Sequence, residues 1–305
     1  MSAIAVTGAT GFVGGFVANY LESKGYKVYR FGRKDMKGVL RWDISEGPYP
    51  RPLAIDSVVH CAACVDDWAS YARSYSANVL GTQNILKSFK NTSQFIYISS
   101  ASVYNAFCRQ VTISENECLD GSLLNAYSKT KLLGEKEVEK SNILSRVILR
   151  PHIIYGPGDT TIGPRIRQAI KFGYLPIPGD GKNRISFTHV ENLAQAILKS
   201  IEISKSGISI YNVTDSEPIT LSEALKQFKS LNHLNFEEFF IPRKLCFVVG
   251  YVLEFFYRMF GIKRPPLLTR YIVDQMSSDH IFDISKAKKE LGYSPTKNTK
   301  EDFLI

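Results

Sequence analysis

A glycine-rich turn near the N-terminus constrains the fold more than any other stretch. Residues 4–7 form a short apolar run, Gly8, Gly11 and Gly14 follow it, and a helical pattern then continues to about Ser23. That order predicts a buried strand, a tight turn and a helix. Glycines there let a pyrophosphate approach the backbone, where its charge meets the free amides of the helix N-terminus. The sequence therefore predicts a dinucleotide-binding unit, with the spacing G-x-x-G-x-x-G where many dehydrogenases have G-x-G-x-x-G.

Strand and helix patterns alternate through the first half of the chain. Apolar runs at 27–31, 57–63, 94–98 and 147–154 are typical of buried strands, with helical patterns between them. This alternation predicts an α/β fold in which helices cover both faces of a parallel sheet. Pro151 interrupts the last run, so we expect the chain to leave regular pairing there and to line a cleft.

Composition narrows the partners. The chain has 305 residues, 44% of them hydrophobic, and a net charge of +9. It can bury a sizeable core, and its charge suits an anionic ligand, a phosphorylated cofactor or an acidic membrane surface. No basic run or recognition module indicates nucleic acid. Five cysteines without a small disulfide-rich layout predict a reducing compartment, and a start on an apolar strand predicts no signal peptide.

Cys61 and Cys64 have the spacing of a redox or metal pair. No second Cys/His pair stands at zinc spacing, so we predict no metal site, and Cys61 is better explained as a small residue ending a buried strand.

The residues after the second strand bear on the choice between NAD(H) and NADP(H). An acidic side chain there holds ribose hydroxyls, whereas arginine accommodates a 2′-phosphate. Gly32 and Arg33 occupy these positions, which favours NADP(H), with NAD(H) and a merely solvated Arg33 as the alternatives.

The motif Y-S-K-T-K, which begins at Tyr127, carries the candidate chemistry. On a helix, a spacing of four places the Tyr127 phenol and the Lys131 ammonium on one face. A nearby cation favours the phenolate, so we expect Tyr127 to exchange protons near neutral pH. The same spacing also arises by chance in solvated helices. Where the strand at 94–98 ends, ligand-facing hydroxyls are available from Ser99, Ser100 and Ser102, which the residues alone do not distinguish.

Together these motifs resemble the extended short-chain dehydrogenase/reductase family over nearly the whole chain. The matching pieces are TGATGFVG (7–14), VVHCAA (58–63), NVLGT (78–82), ISSASVY (98–104), YSKTK (127–131), LRPHIIYGPGD (149–159), GDGKNRISFTHVENLAQAI (179–197) and KAKKELGYSP (286–295). The resemblance implies a doubly wound Rossmann sheet with a smaller C-terminal substrate-binding domain. The implied division is 1–155 for the dinucleotide domain and 156–305 mostly for the substrate domain, with segments near 185–215 returning to the sheet.

The resemblance also implies roles for single residues. Tyr127 is then the general acid/base, Lys131 lowers its pKa and binds the nicotinamide ribose, and Ser100 holds the substrate oxygen. Asp43 is expected to accept a hydrogen bond from the adenine amino group. The full predicted cofactor-binding set is Gly8, Gly11, Phe12, Val13, Gly14, Arg33, Asp43, Ile44, Cys61, Ala62, Ala63, Tyr127, Lys131 and Pro151.

Departures from the family pattern narrow the substrate. Ala101 and Ser102 stand where nucleotide-sugar dehydratases carry an Asp-Glu pair and sugar-acid decarboxylases a glutamate, which disfavours both reactions. Ile185 replaces an arginine that commonly grips the sugar-nucleotide diphosphate. Asn192, where sugar enzymes commonly have aspartate, is similar to the 3β-hydroxysteroid and sterol dehydrogenase branch.

Residues 242–266 form an aromatic, apolar segment with basic pairs at 243–244 and 263–264. It is too short, and too interrupted by Glu254 and Arg258, to span a bilayer. It suits either a membrane interface or the cover of an apolar substrate cavity, while a buried helix or a dimer contact are competing interpretations. Glu254 and Arg258 lie one helical turn apart, so we expect that they can pair.

The sequence therefore predicts an NAD(P)-dependent oxidoreductase that acts on a secondary alcohol or ketone of a largely apolar substrate. A nucleotide-sugar 4-epimerase or 4-reductase is the alternative, since the same Ser-Tyr-Lys set serves transient oxidation of a sugar hydroxyl. A third interpretation is a scaffold that senses NADP(H) without turnover. We expect a cytoplasmic protein, with peripheral membrane contact through 242–266 left open, and the family resemblance implies a homodimer.

Overall fold

The computed structural model describes residues 2–104, 112–117, 119, 123–203 and 205–299. Two of the five cysteines, Cys108 and Cys118, lie outside the described residues. The strands are β1 (Ala3–Thr7), β2 (Lys27–Gly32), β3 (Val39–Arg41), β4 (Ser57–His60), β5 (Gln94–Ile98), β6 (Ser145–Pro151), β7 (Ile154–Tyr155), β8 (Tyr174–Pro178), β9 (Arg184–Ile185), β10 (Thr188–His189), β11 (Gly207–Val213), β12 (Ile219–Thr220) and β13 (Glu237–Ile241).

The helices are α1 (Phe12–Ser23), α2 (Tyr71–Tyr75), α3 (Gly81–Ser88), α4 (Ala126–Lys140), α5 (Ile162–Ala169), α6 (Val190–Ile203), α7 (Leu221–Leu231), α8 (Arg243–Met259), α9 (Arg270–Ser277) and α10 (Ser285–Leu291). A π-helical turn, Ser76–Leu80, joins α2 to α3, and a 3-10 turn, Ala101–Val103, follows β5.

Seven parallel strands form the central sheet in the order β11-β6-β5-β4-β1-β2-β3. Alternate residues of β1 enter different cores, because successive side chains of a strand point to opposite faces. Ile4 and Val6 pack into the core that includes α1 and α6, while Ala5 packs into the opposite core with Phe31 and Phe95. The predicted doubly wound parallel sheet is confirmed. Its strand order reverses direction beside β1 and β4, where such sheets bind ligands.

The C-terminal half contributes to this sheet and also builds a second core. β11 pairs with β6 along its whole length, and α6 packs against α1. The second core lies among β8, β9 and α7, with Leu175, Ile177 and Phe228 at its centre. The division at residue 155 remains a prediction.

The chain leaves the main sheet just after Pro151. Pro151 is the last residue of β6 and still pairs with Val213, one residue further than expected. Ile153 then adopts a positive φ of 33°, and Ile154 pairs with Thr188 in a separate small sheet. Such a φ is strained for a β-branched residue. The segment after this turn therefore pairs with β10, outside the central sheet.

One expected ion pair is wrong. Glu254 bonds Arg270 of α9, with 2.8 Å between Oε2 and the guanidinium, and Arg258 instead stacks over the Trp68 ring. Gly250 makes the first contact possible, since a Cβ there would lie 3.2 Å from the Arg270 nitrogen. Within the described residues, no helix is long and apolar enough to cross a bilayer.

Candidate active site

The turn after β1 has room only for glycine at two positions. A Cβ on Gly8, whose φ is +72°, would lie 2.8 Å from the Ala62 backbone, and one on Gly14 would lie 2.3 Å from the Gly8 carbonyl oxygen. The Gly11 amide closes the turn by donating to that same oxygen over 2.9 Å. No side chain caps the N-terminus of α1, and its first turn carries no acidic residue. Its free amides and positive dipole end therefore fit a pyrophosphate.

Small residues border the crevice on the β4 side. Ala62, which faces Gly8, donates its amide to the Thr7 hydroxyl over 3.3 Å. Burial raises the pKa of Cys61 to about 12, although nearby Lys131 opposes this. A thiol that stays protonated is consistent with a space-filling role for Cys61. Both Cys61 and Cys64 are free, and among the described residues no three His, Cys, Asp or Glu side chains cluster as metal ligands would.

At the predicted adenosine end, Thr10 fills the space beside Gly32. A Cβ on Gly32 would lie 2.6 Å from Thr10 Cγ2, so no acidic side chain fits while Thr10 keeps this position. Arg33 is exposed next to it. Burial favours a higher pKa for Asp43, but hydrogen bonds from Ser45 and the charge of Arg33 bring the net pKa below its usual range. Arg33 and Asp43 thus lie near each other.

Ile44 packs closely beneath the start of α3. A Cβ on Gly81 would lie 2.7 Å from Ile44 Cδ1. Phe12 lies on the other side of the crevice, 3.7 Å from where a Gly158 Cβ would sit. The cofactor contacts predicted for Asp43, Ile44, Phe12, Val13, Ala63 and Pro151 remain predictions.

Helix α4 presents Tyr127 and Lys131 to the end of β5. Its N-cap Asn125 accepts from the Ser128 amide over 2.8 Å, which fixes where the helix begins. Lys131 is buried, donates from Nζ to the Ile98 carbonyl oxygen over 2.5 Å, and lies 4.0 Å from the Tyr97 ring centroid. Burial lowers its pKa to about 7. Lys131 can therefore change charge near neutral pH.

Tyr127 titrates in the direction opposite to the sequence prediction. Burial raises its pKa, and a side-chain hydrogen bond with Ser100 opposes the rise without cancelling it. Burial lowers the pKa of Lys131 to about 7, which weakens its positive charge at neutral pH, and its Nζ donates a hydrogen bond to the Ile98 carbonyl oxygen. The expected lowering by Lys131 is therefore wrong for this structure, and Tyr127 is a phenol at neutral pH.

The structure separates the three serines after β5. The Ser100 side chain faces Tyr127 and lowers its pKa, whereas the Ser99 hydroxyl donates to the buried Glu135 carboxylate. Ser102 Oγ is buried without a hydrogen-bond partner, and its backbone amide donates to Ser100 Oγ over 3.1 Å. Among them, Ser100 alone meets the Tyr127 phenol. Ser100, Tyr127 and Lys131 thus converge where β5 ends.

A buried ion pair behind this set was missed from the sequence. Arg150 on β6 donates to both oxygens of Glu135 on α4, over 3.0 and 2.6 Å, and both side chains are almost completely buried. The pair is bidentate and also accepts the Ser99 hydroxyl, so it fixes α4 against β5 and β6. The available signal was the position of Glu135, one helical turn beyond Lys131.

Asn78, the first residue of the NVLGT motif, connects three elements of the structure. It lies in the π-helical turn, accepts from the Cys64 amide over 2.7 Å and donates to the Cys64 carbonyl over 3.2 Å. Its side-chain nitrogen also donates to Thr130 Oγ1 on α4 over 3.0 Å. Asn78 therefore holds the loop after β4 beside the helix that carries Tyr127.

Helix α9 forms the facing wall. Burial raises the pKa of Tyr271, and the neighbouring Tyr127 adds to the rise, which places the two phenols near each other. One turn later, Gln275 Oε1 lies 3.0 Å from Nε2 of His152, whose Nδ1 lies 2.8 Å from the Ser186 carbonyl oxygen. Burial, helped by His280, lowers the pKa of His152 to about 4. Tyr271 is thus a second phenol near Tyr127.

Known proteins are similar in sequence to this chain over most of its length. Residues 4–214 match the model of the NAD dependent epimerase/dehydratase family. A 2-alkyl-3-oxoalkanoate reductase of Shewanella oneidensis is 29% identical over an alignment of 321 positions that covers 97% of this chain and 83% of the relative. The 3beta-hydroxysteroid-dehydrogenase/decarboxylase isoform 1 of Arabidopsis thaliana is 32% identical, covering 80% of this chain and 60% of that protein. Human sterol-4-alpha-carboxylate 3-dehydrogenase, decarboxylating, is 28% identical, covering 95% and 83%.

Solved structures show the same fold. The UDP-glucuronic acid 4-epimerase of Bacillus cereus in complex with NAD superposes with a TM-score of 0.74 at 23% identity, covering 99% of this chain and 96% of that one. RMD from Pseudomonas aeruginosa complexed with NADPH gives 0.73 at 20% identity, covering 99% and 97%. The predicted Rossmann fold and the resemblance to extended short-chain dehydrogenases are confirmed, and so is the prediction of a nicotinamide-dependent enzyme.

Proposed function

Because the chain belongs to the NAD dependent epimerase/dehydratase family, we propose that it is an oxidoreductase in which bound nicotinamide exchanges a hydride with a secondary alcohol or ketone of a largely apolar substrate. The observation that carries this is the convergence at the end of β5 of Ser100, which lowers the pKa of Tyr127, of Tyr127 itself and of buried Lys131. The glycine turn, which has no room for a Cβ at Gly8 or Gly14, fits the cofactor's pyrophosphate.

The roles of the side chains follow from their surroundings. Ser100 Oγ holds the substrate oxygen, and Tyr127 gives a proton to it or takes one from it. Burial raises the pKa of Tyr127, so its phenol is protonated at neutral pH and can donate the proton that reduction of a ketone requires. Lys131, with a pKa of about 7, adjusts the charge behind the phenol.

The relatives' names suggest a narrower substrate class. A 2-alkyl-3-oxoalkanoate and a sterol 4-carboxylate oxidised at position 3 both place the reacting oxygen β to a carboxylate on an apolar skeleton. We therefore propose a β-oxo or β-hydroxy acid with a bulky apolar group. The lack of a sugar-decarboxylase glutamate at Ala101 or Ser102 does not bear on such acids, since a β-oxo acid loses carbon dioxide without one.

The decisive assay follows oxidation of reduced nicotinamide with a panel of β-oxo acids of increasing chain length. We expect saturable turnover whose kcat/KM rises with apolar size, and loss of turnover in Tyr127→Phe. Cofactor binding that persists while no panel member is turned over, with Tyr127→Phe indistinguishable from wild type, would leave the NADP(H)-sensing scaffold as the better reading.

NADP(H) is the proposed coenzyme. Gly32 has no side chain to hold the ribose hydroxyls, a Cβ there would lie 2.6 Å from the Thr10 methyl, and the neighbouring Arg33 is exposed and suits a 2′-phosphate. Titration of the protein with NADPH and NADH measures the preference directly. Equal dissociation constants would return NAD(H) to equal standing.

The nucleotide-sugar 4-epimerase or 4-reductase stays as the second candidate because the B. cereus epimerase shares the fold. Ile185 is buried and apolar at the position where a diphosphate-binding arginine is expected, which supports the first candidate. Thermal stabilisation by UDP or dTDP, without turnover of any β-oxo acid, would favour the epimerase.

We also propose a cytoplasmic location, a homodimer, peripheral membrane contact through 242–266, and the domain division at residue 155. Light scattering of the purified chain tests the dimer, and a monomer at micromolar concentration would exclude it. Limited proteolysis that cuts first near residue 155 would support the division.

A further inference from the structure

We propose that one face of α8 docks on an anionic phospholipid bilayer and places the mouth of the site against the lipid. The membrane contact stands on its own observations, while delivery of substrate rests on the proposed function. The α8 face is defined by large apolar side chains that remain roughly half exposed, namely Leu245, Val248, Val252, Phe255, Phe256 and Met259.

The orientation of α8 is fixed from its other side. Cys246, Gly250 and Glu254 recur every four residues and are buried. Glu254 accepts from the Arg270 amide over 2.7 Å and from its guanidinium over 3.0 and 2.8 Å. Because this contact is polar, bidentate and closely packed at Gly250, the helix cannot roll its apolar face inward without breaking it.

The exposed face is continuous along the helix. Its members span residues 245–259, or about 21 Å at the rise of an α-helix. Soluble monomers rarely expose an apolar strip of this length unless something covers it. Aromatic side chains make up part of the strip, and Tyr251 beside it is also exposed. Such side chains suit the boundary between headgroups and acyl chains.

The charges around the α8 face favour an anionic lipid surface as its partner. Between residues 242 and 266 the exposed charged side chains are all cationic, namely Arg243, Lys244, Arg258, Lys263 and Arg264. The acidic residue in this range, Glu254, is buried in its bond to Arg270. Cations at both ends of an apolar strip fit an anionic lipid surface. A second copy fits poorly, because antiparallel pairing of two α8 faces would bring the cationic ends together.

A contact at the C-terminal end of α8 joins this surface to the site. Trp68 donates from its indole nitrogen to the Ile262 carbonyl over 3.3 Å, and its ring lies 5.2 Å from the Arg258 guanidinium carbon and 6.3 Å from the Tyr257 ring. The same loop carries Cys64, which raises the pKa of nearby Tyr127. A substrate leaving the bilayer at this end of α8 would meet the loop that borders Tyr127.

Vesicle cosedimentation of the purified full chain tests the docking. We expect binding to phosphatidylcholine vesicles that contain a third phosphatidylglycerol, and much weaker binding to phosphatidylcholine alone. The double variant Val248→Glu, Phe255→Glu should lose binding. Leu144→Glu changes an equally exposed apolar residue away from α8 and should bind as wild type. Removing two cations with Lys263→Gln and Arg264→Gln should weaken binding about 25-fold, at about fivefold per charge.

Two outcomes overturn the proposal. One is vesicle binding that is absent, or that the α8 variants do not change. The other is a dimer that Val248→Glu, Phe255→Glu converts to monomer without any vesicle binding, which would assign the face to a second copy. Circular dichroism and the melting temperature verify that each variant folds.

Turnover of a short, water-soluble β-oxo acid separates this proposal from the proposed function. The α8 variants should keep that activity, whereas turnover of a long-chain substrate presented in anionic vesicles should fall. If the wild-type chain binds vesicles but reduces no β-oxo acid, the docking stands and the proposed function fails.

Discussion

The crevice above β1 and the outer face of α8 are built in opposite ways. In the crevice, side chains are absent where a ligand must approach, as at Gly8 and Gly14, and behind Tyr127 and Lys131 the buried charges of Glu135 and Arg150 satisfy each other. On α8, large side chains remain exposed while the polar contacts lie on the inner side. In the first region, the buried charges are paired within the chain. In the second, we propose that a lipid surface covers the exposed apolar side chains.

The difference predicts where single changes act. Substitutions in the crevice should alter turnover, folding or coenzyme choice in solution. Substitutions on the α8 face should leave all three unchanged and appear only when lipid is present. Four changes on the crevice side, ordered by expected size, test this contrast.

Tyr127→Phe should have the largest effect. Removing the phenol hydroxyl takes away the proton donor, so kcat should fall about 10²- to 10⁴-fold while NADPH still binds. Steady-state kinetics and a cofactor titration measure the two quantities. Tyr174→Phe, an exposed tyrosine on β8, is the matched control and should be silent. A fall of less than fivefold would remove Tyr127 from the chemistry.

Glu135→Gln should destabilise the fold by about 3–5 kcal/mol, because Arg150 keeps a buried charge without its counter-ion. Urea unfolding measures this loss. Glu139→Gln changes an exposed glutamate on the same helix and should shift the free energy of unfolding by less than about 0.5 kcal/mol. Equal effects of the two changes would mean that the pair does not hold α4 in place.

Acid should weaken the fold through His152. Burial lowers its pKa to about 4 from an ordinary 6.5, so the unfolded chain takes up the proton first. The contribution of neutral His152 to the free energy of unfolding is fully present above pH 6.5. It is lost as the pH falls through about 4, and the loss is up to about 3 kcal/mol. His152→Gln should flatten this part of the pH profile measured by urea unfolding. His233→Asn, on an exposed histidine, should leave it unchanged.

Arg33→Ala should have the smallest effect. We expect NADPH affinity to fall about tenfold, the scale of one charge-assisted contact, and NADH affinity to stay the same. Fluorescence titration with each coenzyme gives the ratio, and Lys37→Ala on the same exposed loop is the control. A parallel loss of both affinities would show that Arg33 supports the loop and does not read the 2′-phosphate.

Local patterns were enough to predict the strand, turn and helix at the glycine motif, and the shared face of Tyr127 and Lys131. Their geometry depends on residues close in sequence. The Glu135–Arg150 pair could not be predicted, since it forms only when α4 packs across β5 and β6. The partner of Glu254 was predicted wrongly for the same reason. Glu254 pairs with Arg270 and not with Arg258 one turn away, because the packing of α8 on α9 brings Arg270 near.

The titration of Tyr127 shows a further limit. Spacing placed Lys131 on the same helix face as Tyr127 but did not show how deeply each side chain is buried. Burial is the largest cause of both pKa shifts. Residue chemistry alone did not distinguish the three serines; the family resemblance implied Ser100, which in the structure is the serine that lowers the pKa of Tyr127.

The fit between Thr10 and Gly32 links two positions that are far apart in the chain. With 2.6 Å between the missing Cβ and the threonine methyl, a side chain at position 32 would require Thr10 to move. A Gly32→Asp change aimed at NADH binding is therefore a coupled, two-site redesign, in which Thr10 is trimmed to alanine in the same variant. Mutational libraries that vary one position at a time would pass over that route.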